Sequence, residues 1–253
     1  MSRVLPARAG RVASRNWAVV GLLVVWQVWV MAVGYNEIVL PTPLRVIGDV
    51  VTEPGAYLGD TAYTIAMAFG GLVLGMVAGF VLAVVVRSSS LLAGAIGPVA
   101  LILRSIPLVA VIPVLARLIG YDDRVVLAVT TLIAFFPAFV LTGSGLRMIP
   151  SGGAELFQLG GASRWDRLVR LQIPAAVPNL LVALRLSAAT SVLGAMVAEF
   201  LVGTRGLGEL FSQARIDMEM PRAWGAALIA TLLSVAAFSG AARLERWGNE
   251  RFR

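Results

Sequence analysis

Two ionisable residues, Arg185 and Glu199, stand inside long apolar runs, and a third, Arg104, interrupts another. An arginine surrounded by hydrocarbon costs on the order of 3 kcal/mol unless it is paired or faces water. Arg185 lies about eleven residues past Pro174, roughly 16 Å along a helix and near mid-membrane, so it must point inward. Two roles meet that demand: a positive site for an anionic solute, or a structural arginine bonded to helix-end carbonyls or a carboxylate. Glu199 falls within about 40° of the same helix face, but too far along it to pair with Arg185.

Other chemistry is sparse. The 253 residues include no cysteine, histidine or lysine, and all 21 basic residues are arginine. Thiol chemistry, disulfides and histidine-held metals are thereby excluded, as is a P-loop, which needs its lysine. Paired acids for general acid–base work reduce to the exposed Asp122 and Asp123, which read more simply as a solvated turn.

The elements that must position these residues are membrane helices. Hydrophobic residues make up 58% of the chain and charged residues 14%, gathered so that long apolar runs alternate with short charged connections. That pattern belongs to a polytopic membrane protein. The net charge of +7 has no soluble basic domain to concentrate it, so a nucleic-acid partner is not expected.

Six spans are expected. The first, Trp17 to Val33, follows a tail with Arg3, Arg8, Arg11 and Arg15 and reads as an uncleaved anchor. Between it and the second span, Pro43 to Val51 suits a short interfacial helix. The second span, near Thr61 to Val86, sets Gly71, Gly75 and Gly79 on one face, where small residues admit a neighbouring helix; packing is the plain reading and a pore lining the alternative.

From Leu91 to Ile119 the run holds Pro98, Pro107, Pro113 and Arg104, and is too long for one straight span. A broken helix beside a translocation path fits, as does an interfacial lead-in followed by one span. The remaining spans are Val125 to Leu146, about Ala175 to Val202, and Ala223 to Arg243.

Six spans put both ends on one side. Making it cytoplasmic gives it Arg3, Arg8, Arg11, Arg15, Arg87, Arg147, Arg164, Arg167, Arg170, Arg243, Arg246, Arg251 and Arg253. The other side receives Arg45, Arg117, Arg124, Arg205, Arg215 and Arg222. The excess satisfies the positive-inside rule and places the stretch from Glu155 to Pro178 in the cytoplasm.

That stretch reads as two short helices with a bend. Gly160 and Gly161 end the first. Ser163 caps the second, with Asp166 three residues on in capping-box position. On the second helix Trp165, Leu168, Val169 and Gln172 share a face, while Arg164, Arg167 and Arg170 project elsewhere. Such a helix must lie on headgroups, on the protein's own helix ends or in the groove of another protein.

The spacing of Glu155, Gly161, Leu171, Ile173 and Pro174 resembles E-A-A-x3-G-x9-I-x-L-P, the cytoplasmic-loop signature of the membrane subunits of bacterial ATP-binding cassette importers; Leu156 and Phe157 replace its two alanines. "LPTPLRVI", "LRSIPLVAVIPVLARLIG" and "AEFLVGTRGLGELF" look like permeases of the nitrate, sulfonate and taurine group, in order from Leu40 to Trp247.

The resemblance implies an all-α membrane protein of the type I ABC importer permease fold: six transmembrane helices with a cytoplasmic coupling-helix loop at 151–174. The implied division is a basic tail (1–16), a first helix with outer loop and interfacial helix (17–60), a permease core (61–247) and a cytoplasmic tail (248–253). Glu155, Gly161, Ser163, Arg164, Trp165, Asp166, Arg167, Ile173 and Pro174 would couple to a separate ATPase. Arg104, Pro107, Arg185, Glu199, Gly203, Gly206 and Gly208 would line the path or its outer gate.

The implied partners are two ATPase subunits, a second permease copy, an extracytoplasmic solute-binding protein and the lipid bilayer of the bacterial inner membrane. A homodimer is expected, with a paralogous permease as the alternative second copy. No catalysis is expected in this chain, ATP and Mg belonging to the partner. The implied cargo is a small oxyanion such as a sulfonate, taurine or nitrate, with vitamin precursors and other aromatic compounds as the alternative. A stand-alone secondary transporter would show an internal repeat and several membrane carboxylates, of which only Glu199 is a clear candidate. A membrane enzyme would need the acid pair.

Overall fold

The computed structural model describes residues 17–89, 91–92, 94–96, 107–148 and 152–251. Ten helices are named here in chain order: α1 (Trp17–Val33), α2 (Pro43–Thr52), α3 (Gly55–Ser88), α4 (Leu108–Ile119), α5 (Asp123–Gly145), α6 (Gly153–Leu159), α7 (Arg164–Arg167), α8 (Ile173–Val202), α9 (Leu207–Ile216) and α10 (Met220–Arg251). A π-helical turn, Leu168–Gln172, joins α7 to α8. Among the described residues there is no strand.

Four helices are long and apolar enough to cross a membrane: α3, α5, the continuous run Arg164–Val202, and α10. α1 and α4 are apolar but shorter, 17 and 12 residues. α4 starts afresh after Pro107, whose backbone is extended, so Leu91 to Ile119 is not one helix; Pro113 lies within α4. Arg104 and Pro98 lie outside the described residues, as do the tail 1–16 and Ser151.

α3 and α5 pack so closely that side chains are excluded. A Cβ on Gly71 would strike Thr130, one on Gly75 would strike Ala134 and the backbone of Thr131, and one on Gly79 would meet Ala138 and the backbone of Phe135. The glycine stripe is therefore a helix–helix contact, which in lipid gains its stability from dispersion between close backbones rather than from expelled water. The Thr130 hydroxyl is satisfied by the Val126 and Leu127 carbonyls, 2.9 Å away in each case.

α8 runs through the centre, against α5, α10 and α3. Its buried face is small: Ala183, Ser187, Ala188, Ser191, Gly194, Ala195 and Ala198. Ala195 and Ala198 join Ala68, Ile112, Val125, Val126 and Val129 in one apolar core, which fastens α4 to the bundle.

α2 is a helix where a short one was expected, at Pro43–Thr52. Thr42 caps it, and it buries Pro43 and Val46. Arg222 of α10 ties it down, pairing with Asp49 at 3.9 Å, Glu219 at 2.8 Å and Glu53. Tyr57 donates its hydroxyl hydrogen to Asp49. α1 stands at the edge, burying only Val30 and setting Trp26 against Trp224 at 5.0 Å.

Candidate functional site

The charged end of the molecule is built from a bend. α6 ends in a Schellman arrangement: Gly161 takes φ +67°, and the Ala162 amide reaches back to the Phe157 carbonyl at 2.9 Å. Only glycine enters that conformation without penalty. Ser163 then caps α7, accepting from the Asp166 amide at 3.1 Å and donating its hydroxyl hydrogen to the Asp166 carboxylate at 2.5 Å. That bond holds the exposed Asp166 carboxyl below the usual carboxylate range, and Arg170, 3.6 Å away, adds to the effect.

The second helix is amphipathic, but with a narrower inner face than expected. Leu168 and Gln172 are buried, while Trp165 is 69% exposed and Val169 is also turned outward. A stripe laid out at the α-helical step assigned all four to one face. At that step Trp165 and Val169 form one edge of the stripe and Leu168 and Gln172 the other, and only the second edge lies against the bundle.

The π turn also answers the proline. Pro174 has no amide hydrogen, and its ring would crowd the Arg170 carbonyl in a regular helix. Here the Ile173 amide reaches the Leu168 carbonyl, five residues back, and the chain continues through Pro174 and Pro178 without a break. Leu168 packs with Ala83, Leu146 and Ala176, seating α7 on the ends of α3, α5 and α8. α6 has no such seat. It makes no extensive contact with any described helix, and Leu159 at its end is 86% exposed.

Arg185 is paired. Its guanidinium lies 2.9 Å from the Glu245 carboxylate and 5.7 Å from the centre of the Phe238 ring, both on α10. Glu245 is six residues, about 9 Å, from the end of α10, so the charged head is drawn toward the helix end rather than held at mid-membrane. Arg185 and Glu199 are both directed inward, toward different neighbours.

Glu199 is fully buried and organises the opposite end. It accepts from the Thr64 hydroxyl at 2.8 Å and the Gly208 amide at 3.0 Å. Thr64 in turn accepts from the Leu207 amide at 2.9 Å, and Asp60 from the Gly206 amide at 2.9 Å. Three successive amides at the start of α9 are thus held by side chains of α3 and α8. Gly206 takes φ +104°, and a Cβ there would strike the Glu199 carboxylate; one on Gly208 would strike the Met196 carbonyl, and one on Gly203 the Glu199 backbone.

Asp60 and Thr64 were not anticipated. Their four-residue separation on one helix face, at the outer end of the second span, was the available signal. The pair Asp122 and Asp123 is structural. Asp122 caps α5, accepting from the Arg124 amide at 2.9 Å, and Asp123 accepts from Tyr63 at 2.7 Å and faces Arg205 at 3.9 Å. Among the described residues no cluster of acids or histidines suits a metal ion.

Residues 71–249 match the family described as binding-protein-dependent transport system inner membrane component. The chain belongs to this family. It is the membrane-spanning permease of a binding-protein-dependent ABC importer, a multi-pass inner-membrane protein, and membership implies an ATPase, a solute-binding protein and a dimeric arrangement.

The permease is 28% identical over 225 residues to the formylaminopyrimidine transport permease protein ThiX of Halalkalibacterium halodurans, covering 88% of this chain and 90% of that one. It is 31% identical over 227 residues to the riboflavin transport system permease protein RibX of Chloroflexus aurantiacus, covering 89% and 85%. The putative aliphatic sulfonates transport permease protein SsuC of Bacillus subtilis is 28% identical over 200 residues, covering 77% and 71%. The fold matches a chain of the MetNI methionine ABC transporter in an inward-facing form at TM-score 0.59 and 23% identity, covering 74% of this permease and 91% of that chain.

Proposed function

We propose that α6 and the bend at Gly161 are the coupling element, seated in a separate ATPase subunit whose closure drives alternating access. The isolation of α6 carries this reading. A seven-residue helix is far too short to be stable alone, yet it is formed, ended by a left-handed glycine and left without extensive contact to any described helix. An outside partner supplies the missing contact. Glu155, in its first turn, and the exposed Leu159 face that partner.

The assembly we infer has two permeases and two ATPases, with ATP and Mg in the ATPases and none in this chain. Six spans place both termini in the cytoplasm, α1 and the Leu91 to Ile119 segment supplying the two that α3, α5, α8 and α10 do not. The division at 1–16, 17–60, 61–247 and 248–253 stands as the proposed organisation. The clamped outer loop, Gly203, Gly206 and Gly208 with Glu199 behind them, is the gate that faces the solute-binding protein.

The cargo is a small solute, an oxyanion such as a sulfonate, taurine or nitrate, or a nitrogen heterocycle. Glu245 balances Arg185, which supports a path that does not select by charge and leaves selection to the binding protein. The relatives' names, which span a formylaminopyrimidine, riboflavin and sulfonates, are in keeping with that.

The test is a mild detergent pull-down of the tagged permease from its native membrane, with co-purifying proteins identified by mass spectrometry. A stoichiometric ATPase is expected with wild type, lost in Gly161→Val and recovered in Gly161→Asn, because asparagine tolerates the left-handed conformation. A permease that comes down alone and transports in vesicles without ATP would sink the reading.

A further inference from the structure

Beside the seat of α7 lies a cavity of about 490 Å³. Its wall is basic: Arg87 from the end of α3, and Arg164 and Arg167 from α7, with Ser88, Trp165 and Gln172 between them. Leu168 on Ala83 fixes the register. One turn beyond Ala83 comes Arg87, and one turn before Leu168 comes Arg164, so the two helices bring their arginines to one opening.

Among the described residues these arginines find no carboxylate. Among the described residues none of the three forms an ion pair, and the Arg167 Nε is buried without an acceptor. The one carboxylate on α7, Asp166, is engaged by Ser163 and Arg170. Three gathered positive charges with unfilled donors repel one another unless an anion is present, and guanidinium forks suit phosphate oxygens.

We propose that this cavity binds the phosphodiester of an anionic phospholipid of the cytoplasmic leaflet. Depth selects the source. Arg87 directly follows an apolar run that ends at Val86, which puts the opening at headgroup level. Trp165, 69% exposed at its rim, is the side chain that favours that layer, with Val169 beside it facing acyl chains. Basic pockets between helix ends on this side of a membrane suit such headgroups. A lipid held there would brace α7 against α3 and leave α6 free to engage the ATPase. The orientation assumed is that of the proposed function, but the ATPase plays no part in the binding.

The experiment uses the full-length permease without its ATPase, in nanodiscs of phosphatidylcholine with phosphatidylglycerol, and counts phosphatidylglycerol retained after transfer to detergent by native mass spectrometry. Retention should fall about fivefold for each of Arg87→Gln and Arg164→Gln, and Arg87→Lys should keep most of it. The cytoplasmic Arg243→Gln, outside the cavity, should leave it unchanged. Added inorganic phosphate should not displace the lipid; displacement, with the same arginine dependence, keeps the phosphate site and assigns it to a soluble anion.

Equal retention in wild type and both glutamine variants overturns the proposal. So does an equal loss in Arg243→Gln. Because retention is read without the ATPase, failure of the coupling reading leaves this result intact.

Discussion

Replacing Arg185 and Glu245 one at a time and then together separates a transport site from a structural pair. The 2.9 Å ion pair joins α8 to α10 beside Phe238, with Glu245 almost fully buried. Glu245→Leu leaves an arginine uncompensated among apolar helices, at a cost of about 3 kcal/mol. Arg185→Met leaves the carboxylate, at a similar cost. The double variant removes both charges and keeps their volume, so the loss should shrink to about 1 kcal/mol or less. The coupling energy is therefore on the order of 5 kcal/mol, well above what a surface pair shows.

The assay pairs thermal denaturation in detergent with uptake into proteoliposomes. The single variants should unfold at clearly lower temperature and yield less protein, and the double variant should recover both stability and uptake. A double variant with wild-type stability that fails to carry anions while carrying neutral solutes would refute the structural assignment and return Arg185 to the path.

In the clamped loop, Glu199→Ala strips the acceptor from Thr64 and the Gly208 amide, and about 2 kcal/mol should be lost, read as faster proteolysis within 203–208. Thr64→Val should weaken the same loop by about 1 kcal/mol, since the Leu207 amide loses its partner. Gly75→Leu would force α3 from α5 and should abolish accumulation of folded permease, measured by size-exclusion of the detergent extract. Asp123→Asn, by contrast, touches only a part-exposed cluster with Tyr63 and Arg205; uptake should be unchanged, and its complete loss would revive an acid-pair chemistry.

Features carried by local chemistry were legible in advance. The Gly161 bend, the Ser163 cap, the short helix from Pro43 and the glycine face of α3 each follow from residues a few positions apart, and each was found. Features that depend on distant contacts were not. Arg185 could be assigned an inward direction but not a partner, because Glu245 is sixty residues away and pairs only once α10 has packed. The Glu199 clamp likewise draws Asp60 and Thr64 from across the chain. The apolar stripe of the second helix was drawn wider than its buried face, because its spacing does not say which edge meets the bundle.

These findings assign different mechanical roles to the two ends of one helix. From Arg164 to Val202 the chain is continuous, 39 residues or about 58 Å, linking the Gly161 bend to the clamped loop at 203–208. Near its N-terminal end come the π turn, Pro174 and Pro178, where missing or displaced backbone hydrogen bonds leave the helix easiest to bend. Its outer end is bound through Glu199 to Thr64 and, by way of the α9 amides, to Asp60 on α3; unpairing buried groups there costs more than flexing the π turn. A force applied at α6 would therefore be taken up as bending at Leu168–Gln172, while α8, α3 and the start of α9 move together. α5 limits that motion, because Gly145 meets Ala176 and Gly194 meets Ile133 as closely as the glycines of α3 meet α5. Any movement of the 203–208 loop then requires the clamp to be carried as a unit rather than broken, in keeping with a Glu199 carboxylate buried out of reach of water.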